Sequence, residues 1–127
     1  MRNLLFFCLI LGVSSCRSKP IDMGGDFDSE LFRSDRNACN GLRADLHDAL
    51  VANKDSLLGH SENDIFSTLG RYDLQMLDSR NQKVFIYFLE KGPQCENIPK
   101  PTEATSLAVY FNATKLVKEI TFQKGVL

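Results

Sequence analysis

The chain has few of the signatures that would assign it a chemistry. It contains no G-x-S-x-G nucleophile elbow, no H-E-x-x-H and no glycine-rich phosphate loop. The pair Gly24-Gly25 falls in a polar stretch instead of at a strand-to-helix turn. Histidine is scarce. His47 and His60 are the only two, and neither has the CxxC or HxxxH company that a zinc site needs. Both are expected at the surface or at a helix end, and no metal or other cofactor is expected. There is no internal repeat and no low-complexity tract. Neither a nucleophile with its base nor a pair of tuned carboxylates stands out, so the chain is not expected to be an enzyme.

Charge of one sign is not in excess. The 127 residues carry 15 basic and 16 acidic side chains. That balance leaves no electrostatic footprint for nucleic acid or for anionic lipid. Long apolar runs are scarce too. The longest at the start, "LLFFCLILGV" (residues 4–13), is uncharged but only half the ~20 residues that cross a bilayer. A basic residue (Arg2), a short apolar run and then Gly12, Ser14 and Ser15 are the order of a secretory signal peptide. Residues 1–15 are therefore expected to be removed. The remainder carries 14 basic and 16 acidic side chains, a net of −2.

The residue after the small ones is Cys16. "Val13-Ser14-Ser15-Cys16" resembles the bacterial lipobox. That resemblance implies cleavage before Cys16 and acylation of its sulfur, a palmitate-type anchor. Two or three acyl chains hold a protein stably to a membrane where one does so marginally. Arg17, not Asp, follows the cysteine, which by the enterobacterial sorting rule implies the outer membrane. Which side of that membrane the domain faces is left open. Residues 16–31 hold Pro20, Gly24-Gly25 and four acidic residues without a helix or strand period, and are expected to be a flexible lipidated tether.

The folded domain is expected over residues 32–127. Apolar residues at Cys39, Leu42, Leu46, Ala49, Leu50 and Leu57 fall in steps of three, four and seven, one face of a helix within residues 37–58. Asn53 interrupts that face. A second helix is expected over residues 60–70, with Ser61 as N-cap, Glu62 and Asp64 in its first turn, Ile65, Phe66 and Leu69 buried and Gly70 after its end. From Tyr72 the period becomes two. Strands are expected around residues 72–76, 83–90, 106–111 and 116–123, with a polar turn at 78–82, a proline-rich loop at 91–105 and a hairpin at 112–115. Helices followed by strands imply an α+β fold, with two N-terminal helices packed on a three- to four-stranded antiparallel sheet. The charges of Arg43, Asp45, Asp73 and Asp78 are expected on solvent faces. The match of Asn112-Ala113-Thr114 to a glycosylation sequon is read as accidental in a bacterial chain.

Cys39 and Cys95 remain in the exported chain. Two cysteines in an oxidising compartment suggest a disulfide; the alternative is two unpaired thiols. "VFIYFL" (residues 84–89) is apolar on both faces of its strand. If Val84, Ile86 and Phe88 face the helices, then Phe85, Tyr87 and Leu89 face outward, joined by Tyr110, as an aromatic surface for a partner protein. The reversed register is the alternative, and so is a cover provided by the tether or the proline loop.

The stretch "LLGHSENDIFSTLGRYD" (residues 57–73), with the strand region after it, resembles the SmpA/OmlA (BamE-like) lipoprotein family over about half the chain. Where that family usually has proline, this chain has Arg71 or Tyr72, and the cysteine pair is not part of the family pattern. A similar unit occurs in small β-lactamase-inhibitor proteins, so fold alone does not fix function. The resemblance implies an accessory role in outer-membrane protein assembly or envelope integrity. The expected function is thus a membrane-anchored, non-catalytic interaction module with an envelope protein partner and no nucleic acid. The alternative is a lipoprotein that binds a ligand or inhibits an enzyme.

Overall fold

The computed structural model describes residues 19–97 and 101–126. The expected leader, Cys16 and Arg17 lie outside the described residues. The fold is α+β, with short helices preceding one antiparallel sheet of order β1-β2-β3-β4. The strands are β1 Leu74–Leu77, β2 Lys83–Phe88, β3 Thr105–Phe111 and β4 Val117–Lys124. Among the described residues no helix is long and apolar enough to cross a membrane.

Local chemistry sets the turns of this meander. Between β1 and β2 the carboxylate of Asp78 accepts from the backbone N–H of Arg80 (2.8 Å) and of Gln82 (3.0 Å), while Asn81 takes the left-handed conformation. Between β3 and β4 the Asn112 side-chain oxygen accepts from the N–H of Thr114 and of Leu116 and from the Thr114 hydroxyl. Asn112 thus has a turn to build, which accounts for the Asn-Ala-Thr sequence without glycosylation.

Among the described residues four α-helices lie N-terminal to the sheet: α1 Ser29–Ser34, α2 Leu42–Asp45, α3 His47–Asn53 and α4 Glu62–Leu69. In α4 the caps and two of the three expected buried residues are as the sequence predicts, while Phe66 is half-buried and the helix runs Glu62–Leu69. Ser61 accepts from the Asp64 N–H, Ile65 and Leu69 are buried, and Gly70 caps the C-terminus with its own N–H on the Phe66 carbonyl. Residues 59 and 60 bond to Val117 in β4, which fixes the start of this helix against the sheet edge.

Two expectations are corrected. The helix expected within residues 37–58 is broken. Gly41 (φ 76°) stands before α2, Leu46 separates α2 from α3, and a 3-10 turn, Lys54–Leu57, finishes the stretch. Its apolar face survives as Leu46, Leu50 and Leu57, all buried. The interruption at Asn53 returns its side-chain N–H₂ to the Ala49 carbonyl. The flexible tether expected over residues 16–31 is not free along its described part. The Ile21 N–H donates to the Thr68 hydroxyl, Met23 and Phe27 are buried, and Asp28 caps α1 through the Leu31 N–H. These apolar residues have no helical or strand period, so each packs individually and no pattern announces them.

One core cluster joins the helices to one face of the sheet. Phe32, Leu46, Leu50, Leu57, Ile65 and Leu69 meet Phe85, Tyr87, Leu89, Leu107, Val109 and Phe111. Its aromatic centre is compact: the Phe85 ring lies 4.6 Å from Phe111, 4.7 Å from Tyr72 and 5.3 Å from Phe66.

Candidate functional site

Arg43 and Asp73, both expected on solvent faces, form a buried ion pair. Arg43 Nη1 lies 2.6 Å from Asp73 Oδ2, with side-chain exposures of 1% and 0%. The same Nη1 donates to the Phe88 carbonyl (3.1 Å), Nε donates to the Phe32 carbonyl (3.0 Å), and the guanidinium lies 4.4 Å over the Phe32 ring. Asp73 also accepts from the N–H of Asn37 and of Phe88. Asp35, buried beside them, accepts from the N–H of Asn40, Leu42 and Arg43 at 2.8 to 3.1 Å. This capture of three amides caps α2 and prevents a continuous helix from starting at residue 37.

Arg43, Leu46 and Leu50 stand three and four residues apart on one helical face, which is the one signal in the sequence that Arg43 points inward. Once buried, a guanidinium needs a carboxylate and carbonyls around it. The cluster's hydrogen bonds are internal and it is closed to solvent. It can fix the path of residues 35–43 onto β2, but offers no open position where a substrate could meet an acid or a base.

Cys39 and Cys95 are joined as a disulfide, with Cα atoms 5.6 Å apart. The bridge fastens the turn at Arg36–Ala38 to the turn at Pro93–Cys95 in the proline-rich loop. Gln94 adds to it, donating to the Asn37 and Glu90 carbonyls. Asn37 and Ala38 both have positive φ (62° and 59°), a conformation unfavourable to alanine. The disulfide next to them, the Gln94 bond and the Asp73 bond hold it.

The two sheet faces are unlike, and their assignment corrects the expected partner surface. Phe85, Tyr87 and Leu89 face the helices and are buried. Tyr110 does not join them; it pairs with Val84 and lies on the opposite face. The reversed register therefore holds. An uninterrupted apolar strand carries no alternation from which its parity can be read. What decides it is the aromatic cluster on the inner side and the Tyr87 hydroxyl, which donates to the Gly70 carbonyl at 2.8 Å. Burial pushes the Tyr87 phenol far up from its ordinary pKa.

The outer face carries Leu74 and Met76 on β1, Val84, Ile86 and Phe88 on β2, and Ala108 and Tyr110 on β3. Thr121 and Gln123 continue it on β4. From outside the four strands, the described hydrophobic residues that join this cluster are Ala38 and Val126. Val84, Ile86, Phe88 and Ala108 are nevertheless 0% exposed. Thr121 Oγ1 and Gln123 Nε2, on the same face, are buried without a hydrogen-bond partner.

Three other carboxyl groups are held below their ordinary pKa. The His60 ring holds the Asp64 carboxyl below its ordinary pKa from 3.1 Å. The Thr105 N–H does the same for Glu90, and the Gln82 N–H for Asp78. A depression lined by Ala44, His47, Asp48, Leu89, Glu90 and Thr105 has a volume of about 260 Å³, below the usual range of small-molecule pockets. Among the described residues no group of three or more His, Cys, Asp or Glu side chains is placed to hold a metal ion.

No family model matches the chain, and no curated protein or solved structure matches it.

Proposed function

We propose that this chain is a bacterial envelope lipoprotein whose folded domain is a non-catalytic protein-interaction module, docking an envelope protein through its outer sheet face. The observation that carries this reading is the outer face itself. There the buried Val84, Ile86, Phe88 and Ala108 are bordered by the partly buried Leu74, Met76 and Tyr110, with only Ala38 and Val126 joining them from the described chain outside the strands. Thr121 and Gln123 supply unpaired polar groups at its side. An apolar centre with a polar flank is the anatomy of a protein-docking surface.

The anchor in this reading is acylated Cys16, from the lipobox-like "VSSC", and Arg17 supports the outer membrane as destination. Because Ile21 is already fixed to Thr68, the link from Cys16 to the folded domain is five residues, at most about 17 Å fully extended. The domain is then held close to the lipid headgroups. The resemblance of residues 57–73 to the SmpA/OmlA family supports an accessory role in outer-membrane protein assembly or envelope integrity.

A photo-crosslinking amino acid placed at Met76 or Tyr110, two partly buried residues of this face, tests the docking in cells. Crosslinks to barrel-assembly components are expected. A lone soluble enzyme as the product would favour an inhibitor instead, and no product at either position would refute docking on this face. The substitution Cys16→Ser should abolish acyl labelling and release the domain from membranes; unchanged labelling would refute the anchor.

A further inference from the structure

The two edges of the sheet are finished differently. The start of β4 is closed by the chain itself: the Gly59 N–H donates to the Val117 carbonyl (2.8 Å) and the Val117 N–H to the His60 carbonyl (2.9 Å). Along the rest of β4, Lys118, Glu119 and Lys124 supply the charges that commonly guard an edge against further pairing. The other edge is β1. Its sequence, Leu-Gln-Met-Leu, holds neither a charge nor a proline. The Asp78 N–H donates to the Gln82 carbonyl across the turn. By the alternation of an antiparallel ladder, Leu74 and Met76 then bond β2, and Gln75 and Leu77 direct their N–H and C=O groups away from it. Gln75 and Leu77 are both exposed, Leu77 at 57%. We infer that the β1 edge accepts an extended segment of a partner protein as an added strand, and that this segment is apolar in its middle and acidic at its ends. The inference concerns the edge and stands apart from docking on the outer face.

The charges at the ends of β1 set the partner's chemistry. Arg71 precedes the strand and Arg80 follows it, and both are exposed. The carboxylates beside them are already engaged. Asp73 is buried against Arg43. Asp78 accepts from the Arg80 and Gln82 amides and lies 3.4 Å from Lys118 Nζ. The strand is thus an uncharged edge between two cations, which an apolar segment with acidic ends complements. A second copy of this chain does not. The pairing of two β1 strands that uses all of the outward backbone groups matches Gln75 with Leu77 and turns about Met76. It sets Arg71 of each copy opposite Asn81 of the other, one residue from Arg80, so like charges meet at both ends. In a complex with the acidic segment, main-chain bonds to Gln75 and Leu77 supply affinity. The Leu77 side chain and the two arginines select the sequence.

The test titrates the isotope-labelled full chain, in detergent, with a capped peptide of alternating threonine and valine flanked by glutamates. A second peptide carries lysines in their place. The glutamate peptide is expected to shift the amide signals of Gln75 and Leu77 and to slow their hydrogen exchange, and the lysine peptide to bind at least about tenfold more weakly. Arg71→Glu with Arg80→Glu should reverse that preference. Leu77→Lys, an exposed change that places a guarding charge on the edge, should abolish binding with the circular dichroism unchanged. Equal binding of the two peptides would overturn the acidic partner. Shifts confined to Ala108, Thr121 and Gln123, or no binding of the glutamate peptide, would overturn the edge as the site. Shifts at Gln75 and Leu77 that grow with protein concentration alone would make a second copy the occupant and overturn the inference. None of these outcomes depends on the crosslinks from Met76 and Tyr110 that test the outer face.

Discussion

The Arg43 guanidinium and the Asp73 carboxylate meet at 2.6 Å with almost no solvent on either side chain. Removing one partner leaves the other charge buried and uncompensated. Asp73→Ala also orphans the N–H groups of Asn37 and Phe88. The expected loss is about 3–5 kcal/mol, read by urea denaturation. Arg43→Met combined with Asp73→Ala should cost less than the two single changes added, because no lone charge remains. Strict additivity would show that the pair is not coupled.

The Cys39–Cys95 bridge closes a long loop between a helical turn and the proline-rich segment. Its removal by Cys39→Ser with Cys95→Ser should lower stability by about 2–4 kcal/mol. Limited proteolysis should then cut first within residues 36–40 or 91–97. Equal melting temperatures with and without a reductant would contradict this.

Tyr87→Phe removes the hydroxyl that satisfies the Gly70 carbonyl and keeps the ring in the core. A loss of about 1–2 kcal/mol is expected, without change in the sheet's circular dichroism. Gly70→Ala should be worse tolerated than a typical surface change. Gly70 has φ +79°, and an added Cβ would come within 3.0 Å of the Arg33 side chain. Chemical denaturation of the two variants ranks both claims.

Ser61→Ala deletes the N-cap bond to the Asp64 amide and is expected to cost about 0.5–2 kcal/mol. Ser61→Asp should restore most of that. If it does not, the hydroxyl is valued for something other than capping.

Acid should weaken the fold through Asp64, Glu90 and Asp78, whose carboxyls are held below ordinary values of 3.8, 4.5 and 3.8. A carboxyl depressed in the folded state contributes stability above its unfolded pKa and loses it as pH falls through the folded one. The melting temperature should therefore be level between pH 6 and 5 and decline below about pH 4.5. With Asp64→Asn, Glu90→Gln and Asp78→Asn together the decline should be shallower. An unchanged slope would place the acid sensitivity elsewhere.

What could be read from the sequence follows from how local each signal is. The cap at Ser61, the acidic first turn and Gly70 all act within one turn of helix, so α4 is legible. The same holds for the turns at Asp78 and Asn112, whose side chains bond their own neighbours. Leu42, Leu46, Ala49 and Leu50 announce a helical face correctly, but Asp35 breaks the helix by binding amides five to eight residues away. Arg43 is hidden for a related reason, since its partner Asp73 lies thirty positions on. The outward face of β2 is illegible because six consecutive apolar residues name no side. Met23 and Phe27 form no pattern at all, and only the assembled core assigns them a place.

Ala38 sits at the rim of the outer sheet face, one residue before Cys39 and in a conformation alanine disfavours. The bond that holds Cys39 therefore also places one border of that surface. Reduction of Cys39–Cys95 is expected to loosen this border and to leave the strand pairing in place. The oxidation state of one cysteine pair thereby sets how well that border is defined.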